Sequence, residues 1–197
     1  MFKENKGIDP ISNPIIIFAL IVIVAVGTLF YFSKMKGGPS KEVEYKTYIN
    51  KDYGFSLSYP SNWTLDNAEM LGGHIVMLRE NISEKRPDAQ VRISAGSLGI
   101  TSLDNVRDQI TSSIENNENV ALTKGPTDIE LRNVPGLDFT LRFTNPQGSF
   151  RAREVLFDRE NMDCTIYSVV VENSIEDFWP DIEHIFESFN FLKLEPE

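Results

Sequence analysis

"YGFSLSYPSNW", residues Tyr53–Trp63, decides how the rest of this chain is read. Phe55, Leu57 and Tyr59 alternate with Ser56 and Ser58, the period-2 pattern of a strand with one face covered. Pro60 has no N–H to give a ladder, so the strand ends there. Ser61 and Asn62 are turn formers, and Trp63 folds back over the sheet edge. Buried, its indole brings about 150–250 Å² of contact surface and an N–H that needs a partner. Trp63 as an exposed ligand platform is the alternative; core packing is the expectation, because Trp is highly buried on average. The stretch therefore reads as the opening strand and corner of a β-rich domain.

Upstream lies Ile15–Phe32, "IIIFALIVIVAVGTLFYF", 18 residues without a charge or a strong polar group. As a helix it would be about 27 Å long, enough to span a hydrocarbon core. Pro14 suits a first turn, and Lys34 and Lys36 suit an interfacial anchor. A buried core helix would keep a polar face, which this run lacks. Ala25-Val26-Gly27 could serve as a signal-peptide cleavage site, but the apolar run continues through Leu29, Phe30, Tyr31 and Phe32, where a signal peptide turns polar. The expected organisation is a short tail (1–14), a transmembrane anchor (15–33), a polar linker (34–46) and one domain (47–197). Residues 15–32 would contact the lipid bilayer. The linker centres on Gly37-Gly38-Pro39, which holds a folded body off the membrane without fixing its orientation.

A literal count of flanking lysines would place the domain in the cytoplasm. Against that, a short tail followed by one span resembles signal anchors that export their C-terminal domain. Two sequons, Asn62-Trp63-Thr64 and Asn81-Ile82-Ser83, are compatible with export. An extracytoplasmic, single-pass arrangement in the cell membrane is the reading adopted. Four of the chain's 19 basic residues and two of its 29 acidic ones lie in residues 1–38, which leaves residues 39–197 at net −12. Such a domain repels nucleic acid and anionic lipid, so neither is an expected partner. Cys164 is alone, which excludes an internal disulfide, and its setting in "CTIYSVVV" is that of a small buried hydrophobe.

Downstream of the corner, "GGHIVMLRE", "QVRISAG", "IELRNV", "LDFTLRFT" and "SFRAREVLF" read as strands, and "CTIYSVVV" as one covered on both faces. Ser102 opens a helix with Leu103, Val106, Ile110 and Ile114 on one side. A second helix runs from Ser174 to about Phe189 on Ile175, Phe178, Trp179, Ile182, Ile185, Phe186 and Phe189. Pro180 inside it should either kink the helix or mark its true first turn. The expected fold class is α+β: a mostly antiparallel twisted sheet with helices on both faces, preceded by one transmembrane helix.

An early "YGFSLSYPSNW" strand, a mid-chain helix, a sheet, and a final helix running into "FESFNFL" together resemble the PsbP-like fold, an α/β/α sandwich. The resemblance covers roughly Tyr45 to Leu194. That group includes the extrinsic photosystem II protein, a yeast Ran-binding protein of the same fold, and membrane-tethered bacterial and archaeal proteins of unknown role. Its motifs are structural rather than catalytic, so it implies a fold and no activity. Neither the oxygen-evolving role nor Ran binding is carried over.

Groups that could carry chemistry are few. His74 and His184 neighbour no recognisable nucleophile, and the chain has no Walker A loop, G-x-S-x-G, H-E-x-x-H or C-x-x-C. Asp177, Asp181 and His184 share one helix side and could contribute to a divalent-metal site, or simply form a solvated face. Asp158, Glu160 and Asp163 lack the glycine and terminal glutamate of a calcium loop. No metal, cofactor or catalytic residue is expected.

Arg142, Arg151 and Arg153 stand out against the acidic domain. The turn at Asn145-Pro146-Gln147-Gly148 places Phe143 opposite Phe150, hence Arg142 opposite Arg151, with Arg153 on the same side. A three-residue turn at Val134-Pro135-Gly136 would set Arg132 opposite Asp138. Like charges opposed across a sheet destabilise it by up to roughly 1 kcal/mol, so something must compensate. One answer is local acids: Glu154, Glu130, or Asp104 and Asp108 of the first helix. The other is an anion- or carboxylate-binding patch that docks a protein or small-ligand partner through guanidinium forks. The function expected is a non-catalytic, membrane-anchored binding or assembly module. An unrecognised extracytoplasmic enzyme or divalent-metal-binding protein is the alternative, and a pocket joining His74 or His184 to carboxylates would favour it.

Overall fold

The computed structural model describes residues 43–70, 73–80, 88–97, 102–159 and 162–193. The expected anchor, the tail and most of the linker lie outside the described residues. Among those described, no helix is long and apolar enough to cross a membrane.

The strands are β1 (Tyr45–Asn50), β2 (Phe55–Pro60), β3 (Trp63–Met70), β4 (Gly73–Glu80), β5 (Ala89–Gly96), β6 (Val120–Leu131), β7 (Val134–Asn145), β8 (Gly148–Arg159), β9 (Met162–Val171) and β10 (Asn190–Phe191). Helix α1 (Leu103–Glu115) falls between β5 and β6; a short 3₁₀ turn, Glu172–Ser174, leads from β9 into α2 (Ile175–Ser188). The strands form two antiparallel sheets rather than one. Seven run in the order β3-β4-β5-β9-β8-β7-β6, and three in the order β1-β2-β10. The Tyr53–Trp63 stretch is the passage between them. β2 closes the small sheet at Pro60, and Trp63 begins β3 at the edge of the large one. Trp63 is core, 4 % exposed, but its buried indole N–H has no hydrogen-bond partner among the described residues.

The helices sit on opposite faces of the large sheet, because adjacent residues of one strand point to opposite sides. In β8, Leu156 packs with Leu137, Phe139 and Ile110 of α1, whereas Val155 and Phe157 pack with Cys164, Ile166, Ile182 and Ile185. Ser102 caps α1 by accepting from the Asn105 N–H at 3.1 Å. The second face carries the main core, shared by α2 and the small sheet. Phe157, Phe189 and Phe191 meet there edge-on and stacked, with ring centroids 5.2–5.9 Å apart, and so bind the two sheets together. β9 is buried along almost its whole length, as a strand covered on both faces should be. α2 is continuous through Pro180, so that residue does not mark its first turn.

Two local expectations change. β3 begins a strand the sequence did not announce, since between Trp63 and Glu69 only Trp63 is a deeply buried apolar side chain. The β6–β7 turn is Arg132-Asn133, not Val134-Pro135-Gly136: Leu131 pairs with Val134 and Thr127 with Asp138. Both turn residues lie at positive φ, 52° and 64°, the geometry whose twist matches flanking strands. The anticipated pairing of Arg132 with Asp138 therefore does not form.

Candidate functional site

The β7–β8 register places Arg142 opposite Arg151, and Arg153 opposite Thr140 two residues along. All three arginines project to the face that carries α2. Glu154, next in sequence to Arg153, points to the other face, where α1 also lies. Glu154, Asp104 and Asp108 are therefore on the wrong side to compensate, and Glu130 makes no ion pair with them.

The compensating acids are Asp138 and Glu172. Asp138, 5 % exposed, sits diagonally across the ladder from Arg153, within reach of a long side chain. The Arg153 Nε and Nη2 donate to its two carboxylate oxygens, each at 3.0 Å. This is the planar bidentate pairing that guanidinium favours. The Lys124 ammonium stands 3.6 Å from the same carboxylate. Phe186 of α2 covers Arg153, whose charge lies 4.7 Å from the ring centroid. Arg153 thus belongs to the fold.

Arg142 and Arg151 are held more loosely. Both rely on Glu172, in the turn between β9 and α2. Arg151 Nη2 donates to Glu172 Oε1 at 3.2 Å. Arg142 Nε stands 3.5 Å from Oε2, an ion pair without hydrogen-bond geometry. Two opposed guanidiniums share one carboxylate. Arg151 also lies over the Trp179 ring at 5.4 Å, and its buried Nε has no hydrogen-bond partner among the described residues. Trp179 itself donates to Glu183 Oε1 at 2.9 Å.

These groups line an open depression of about 280 Å³ between the sheet and α2, walled by Thr123, Lys124, Thr140, Arg151, Arg153, Trp179 and Glu183. A second, of about 290 Å³, is bordered by Arg142, Thr144 and residues 118–121. Four cations (Lys124, Arg142, Arg151, Arg153) face three acids (Asp138, Glu172, Glu183). The patch is locally positive in a domain that is strongly negative. Such a surface can receive a carboxylate or another anion, with an aromatic ring alongside for stacking.

The remaining candidates are dispersed. Asp181 accepts from the Tyr45 hydroxyl at 3.3 Å, and the His184 ring lies tilted against the Tyr45 ring, centroids 3.8 Å apart. Among the described residues no three His, Cys, Asp or Glu side chains converge to hold a metal ion. Asp158 and Asp163 pair across the β8–β9 hairpin, and Glu160 lies outside the described residues. Burial pushes the Cys164 thiol up to about 12, with Arg159 lowering it and Asp163 raising it, so the residue is inert. One array went unread in the sequence. His74, 7 % exposed, bonds through Nδ1 to Glu69 at 2.7 Å and through Nε2 to the Tyr48 hydroxyl at 3.2 Å, with Tyr53 stacked on its ring. Its members come from β1, β3, β4 and the loop after β1, and no spacing in the sequence links them. Neither depression is lined by a histidine.

The fold has counterparts among solved structures. The cyanobacterial PsbP protein CyanoP of Synechocystis sp. PCC 6803 superposes with a TM-score of 0.53 at 11 % identity, over 80 % of this chain and 98 % of that one. A protein of unknown function from Pseudomonas aeruginosa, described as a putative regulator, matches at 15 % identity and TM-score 0.47, covering 78 % and 97 %. LpqN of Mycobacterium tuberculosis, described as involved in cell envelope biogenesis, matches at 9 % identity and TM-score 0.46, covering 77 % and 92 %. Of the curated proteins none matches. At these identities the structural likeness concerns the fold alone. The family model described as PsbP-like protein matches residues 15–191, most of the sequence, and the chain belongs to that family.

Proposed function

We propose that this PsbP-like chain is a membrane-anchored, non-catalytic binding or assembly module. Its domain is held outside the membrane, and the Arg142–Arg151 end of the groove docks a carboxylate-bearing group of a partner. One observation carries this reading: two opposed guanidiniums share the single carboxylate of Glu172, Arg151 lining one open depression and Arg142 the other. A second carboxylate arriving there would relieve the like-charge opposition of the two guanidiniums. The 18-residue apolar run and the exposed Asn62 sequon support the address. The enzyme alternative would have to be built on the Glu69–His74–Tyr48 array, which borders neither depression.

A single experiment tests partner and address together. A membrane-impermeant cross-linker is applied to intact cells carrying the full-length chain or its Arg142→Gln/Arg151→Gln variant. That pair removes both charges without setting a new carboxylate against Glu172. The expected result is a cross-linked partner with the wild type and at least a tenfold loss with the variant, which should still unfold in one cooperative transition. Equal capture by both chains would remove the groove from the mechanism. Capture only after the membrane is broken would place the domain on the cytoplasmic side.

A further inference from the structure

A sheet edge presents a row of unpaired N–H and C=O groups, and proteins guard such edges with charge, proline, bulges or brevity. The two sheets leave four edges. β10 is two residues long. β6 is irregular on either side of Lys124 and contains Pro126. β3 carries Asp66 and Glu69. β1 is the most lightly guarded. It is six regular residues, paired with β2 along its whole length, without proline or an acidic group. Its one charge is the exposed Lys46, whose ammonium is tied back to its own hairpin by donating to the Ser61 carbonyl at 3.0 Å. The large hydrophobic side chains exposed among the described residues are Val43 (41 %), Tyr45 (37 %) and Ile49 (55 %), two of them on β1 and one just before it.

We propose that β1 is a self-association strand, which pairs antiparallel with β1 of a second copy about a two-fold axis at Thr47. The strand is complementary to itself in this register. With Thr47 opposite Thr47 of the second copy, Tyr45 of each chain faces Ile49 of the other. Lys46 faces Tyr48, so no like charges are opposed. Aromatic–β-branched and Thr–Thr pairs are favourable across antiparallel strands, and an isologous contact makes each of them twice. Sliding by one residue sets Lys46 against Ile49 and Tyr45 against Asn50, which loses the apolar pairs. Closure by a two-fold axis also consumes the edge, so pairing stops at two copies instead of extending into a fibre.

The only cysteine, Cys164, is fully buried, so an introduced thiol reports against a clean background. Thr47→Cys puts two thiols opposite each other at an antiparallel Cα separation of roughly 4.5–5.5 Å, which a disulfide spans. The full-length chain in neutral detergent, mildly oxidised, is expected to run as a linked dimer for Thr47→Cys. It should remain unlinked for Thr64→Cys on the guarded edge of β3. Sedimentation of the unmodified chain gives a second readout: a dimer for the wild type and a monomer for Ile49→Lys that still unfolds in one cooperative transition, because Ile49 is exposed in the single chain. Linking of Thr47→Cys no faster than Thr64→Cys would overturn the proposal. So would a wild type that sediments as a monomer at the same concentrations, including one whose β1 edge is taken up by a different protein.

Discussion

The two flanks of α2 meet opposite electrostatic problems with the same helix. On one flank Trp179 and Phe186 lie against arginines of β8, and each guanidinium there reaches a carboxylate of Asp138 or Glu172. On the other, Asp177 and Asp181 face Glu80 and Asp88, so acids crowd acids. Burial pushes Glu80 up to about 7; a hydrogen bond from the Asp88 backbone lowers it, and the charges of Asp88, Asp177 and Asp181 raise it further. Asp181 is raised too, by burial, against the Tyr45 hydrogen bond and the His184 charge. The contrast separates two uses of charge. The basic flank is mostly pair-compensated and so belongs chiefly to the architecture, with Arg142 and Arg151 left under-supplied. The acidic flank is only partly compensated among the described residues, and its energy depends on pH.

Breaking the paired flank should have the largest effect. Asp138→Ala strands the partly buried Arg153 guanidinium; removing one partner of a fully buried pair costs about 3–5 kcal/mol, and with Arg153 partly exposed the loss should fall near the lower end of that range, about 3 kcal/mol. Urea unfolding measures this, and Asp138→Ala combined with Arg153→Met should recover most of the loss. A cost under about 1 kcal/mol for the single variant would mean that Arg153 is not held by Asp138 at all.

The acidic flank should respond to pH rather than to truncation. Glu80 is protonated more readily in the folded chain than in the unfolded one. Its stabilising contribution is therefore full below about pH 4.5 and is lost as pH rises through about 7. Glu154, on the α1 face, is likewise pushed by burial to about 7 despite Arg92, and acts in the same direction. Glu80→Gln should reduce the fall in thermal midpoint between pH 5 and pH 8, and Glu80→Gln/Glu154→Gln should nearly abolish it. An unchanged slope in both variants would assign the pH dependence elsewhere.

The paired flank was half readable in the sequence, and its unread half has definite causes. Asn145-Pro146-Gln147-Gly148 fixed the β7–β8 register, so the opposition of Arg142 and Arg151 followed by counting residues. Asp138 followed from the same register, two positions along on the same face. It was missed because Pro135-Gly136 looked like the preceding turn and so matched Asp138 with Arg132. The true turn, Arg132-Asn133, holds positive φ without a glycine to mark it. Glu172 could not be read at all, since it reaches the arginines only through the path of the chain from β9 into α2. The helices themselves were plain from their apolar spacing. β3 was not, because an edge strand with one deeply buried side chain leaves little alternation to see. The division into two sheets was hidden for a related reason: β2 and β3 meet at Pro60–Trp63, and a corner between sheets carries the same turn residues as a hairpin.

The smallest effect is the most informative about the groove. Arg142 is more than half exposed and its contact with Glu172 lacks hydrogen-bond geometry, so the pair contributes no more than about 0–1 kcal/mol. Against that, Arg142→Gln removes a like charge directly opposite Arg151, a relief of up to about 1 kcal/mol. The two contributions oppose each other, and the variant should lie within about 0.5 kcal/mol of the wild type. Glu172→Gln has no such offset. It leaves two opposed guanidiniums without their shared carboxylate and should cost roughly 1–1.5 kcal/mol by the same magnitudes. Salt distinguishes the causes, because repulsion between partly exposed charges is screened at high ionic strength. The penalty of Glu172→Gln should therefore shrink between 0.05 and about 1 M sodium chloride, while Arg142→Gln stays near zero throughout. If Glu172→Gln also lies near zero at low salt, the arginines do not need a carboxylate between them. The demand that would draw a partner's carboxylate into the groove would then be absent as well.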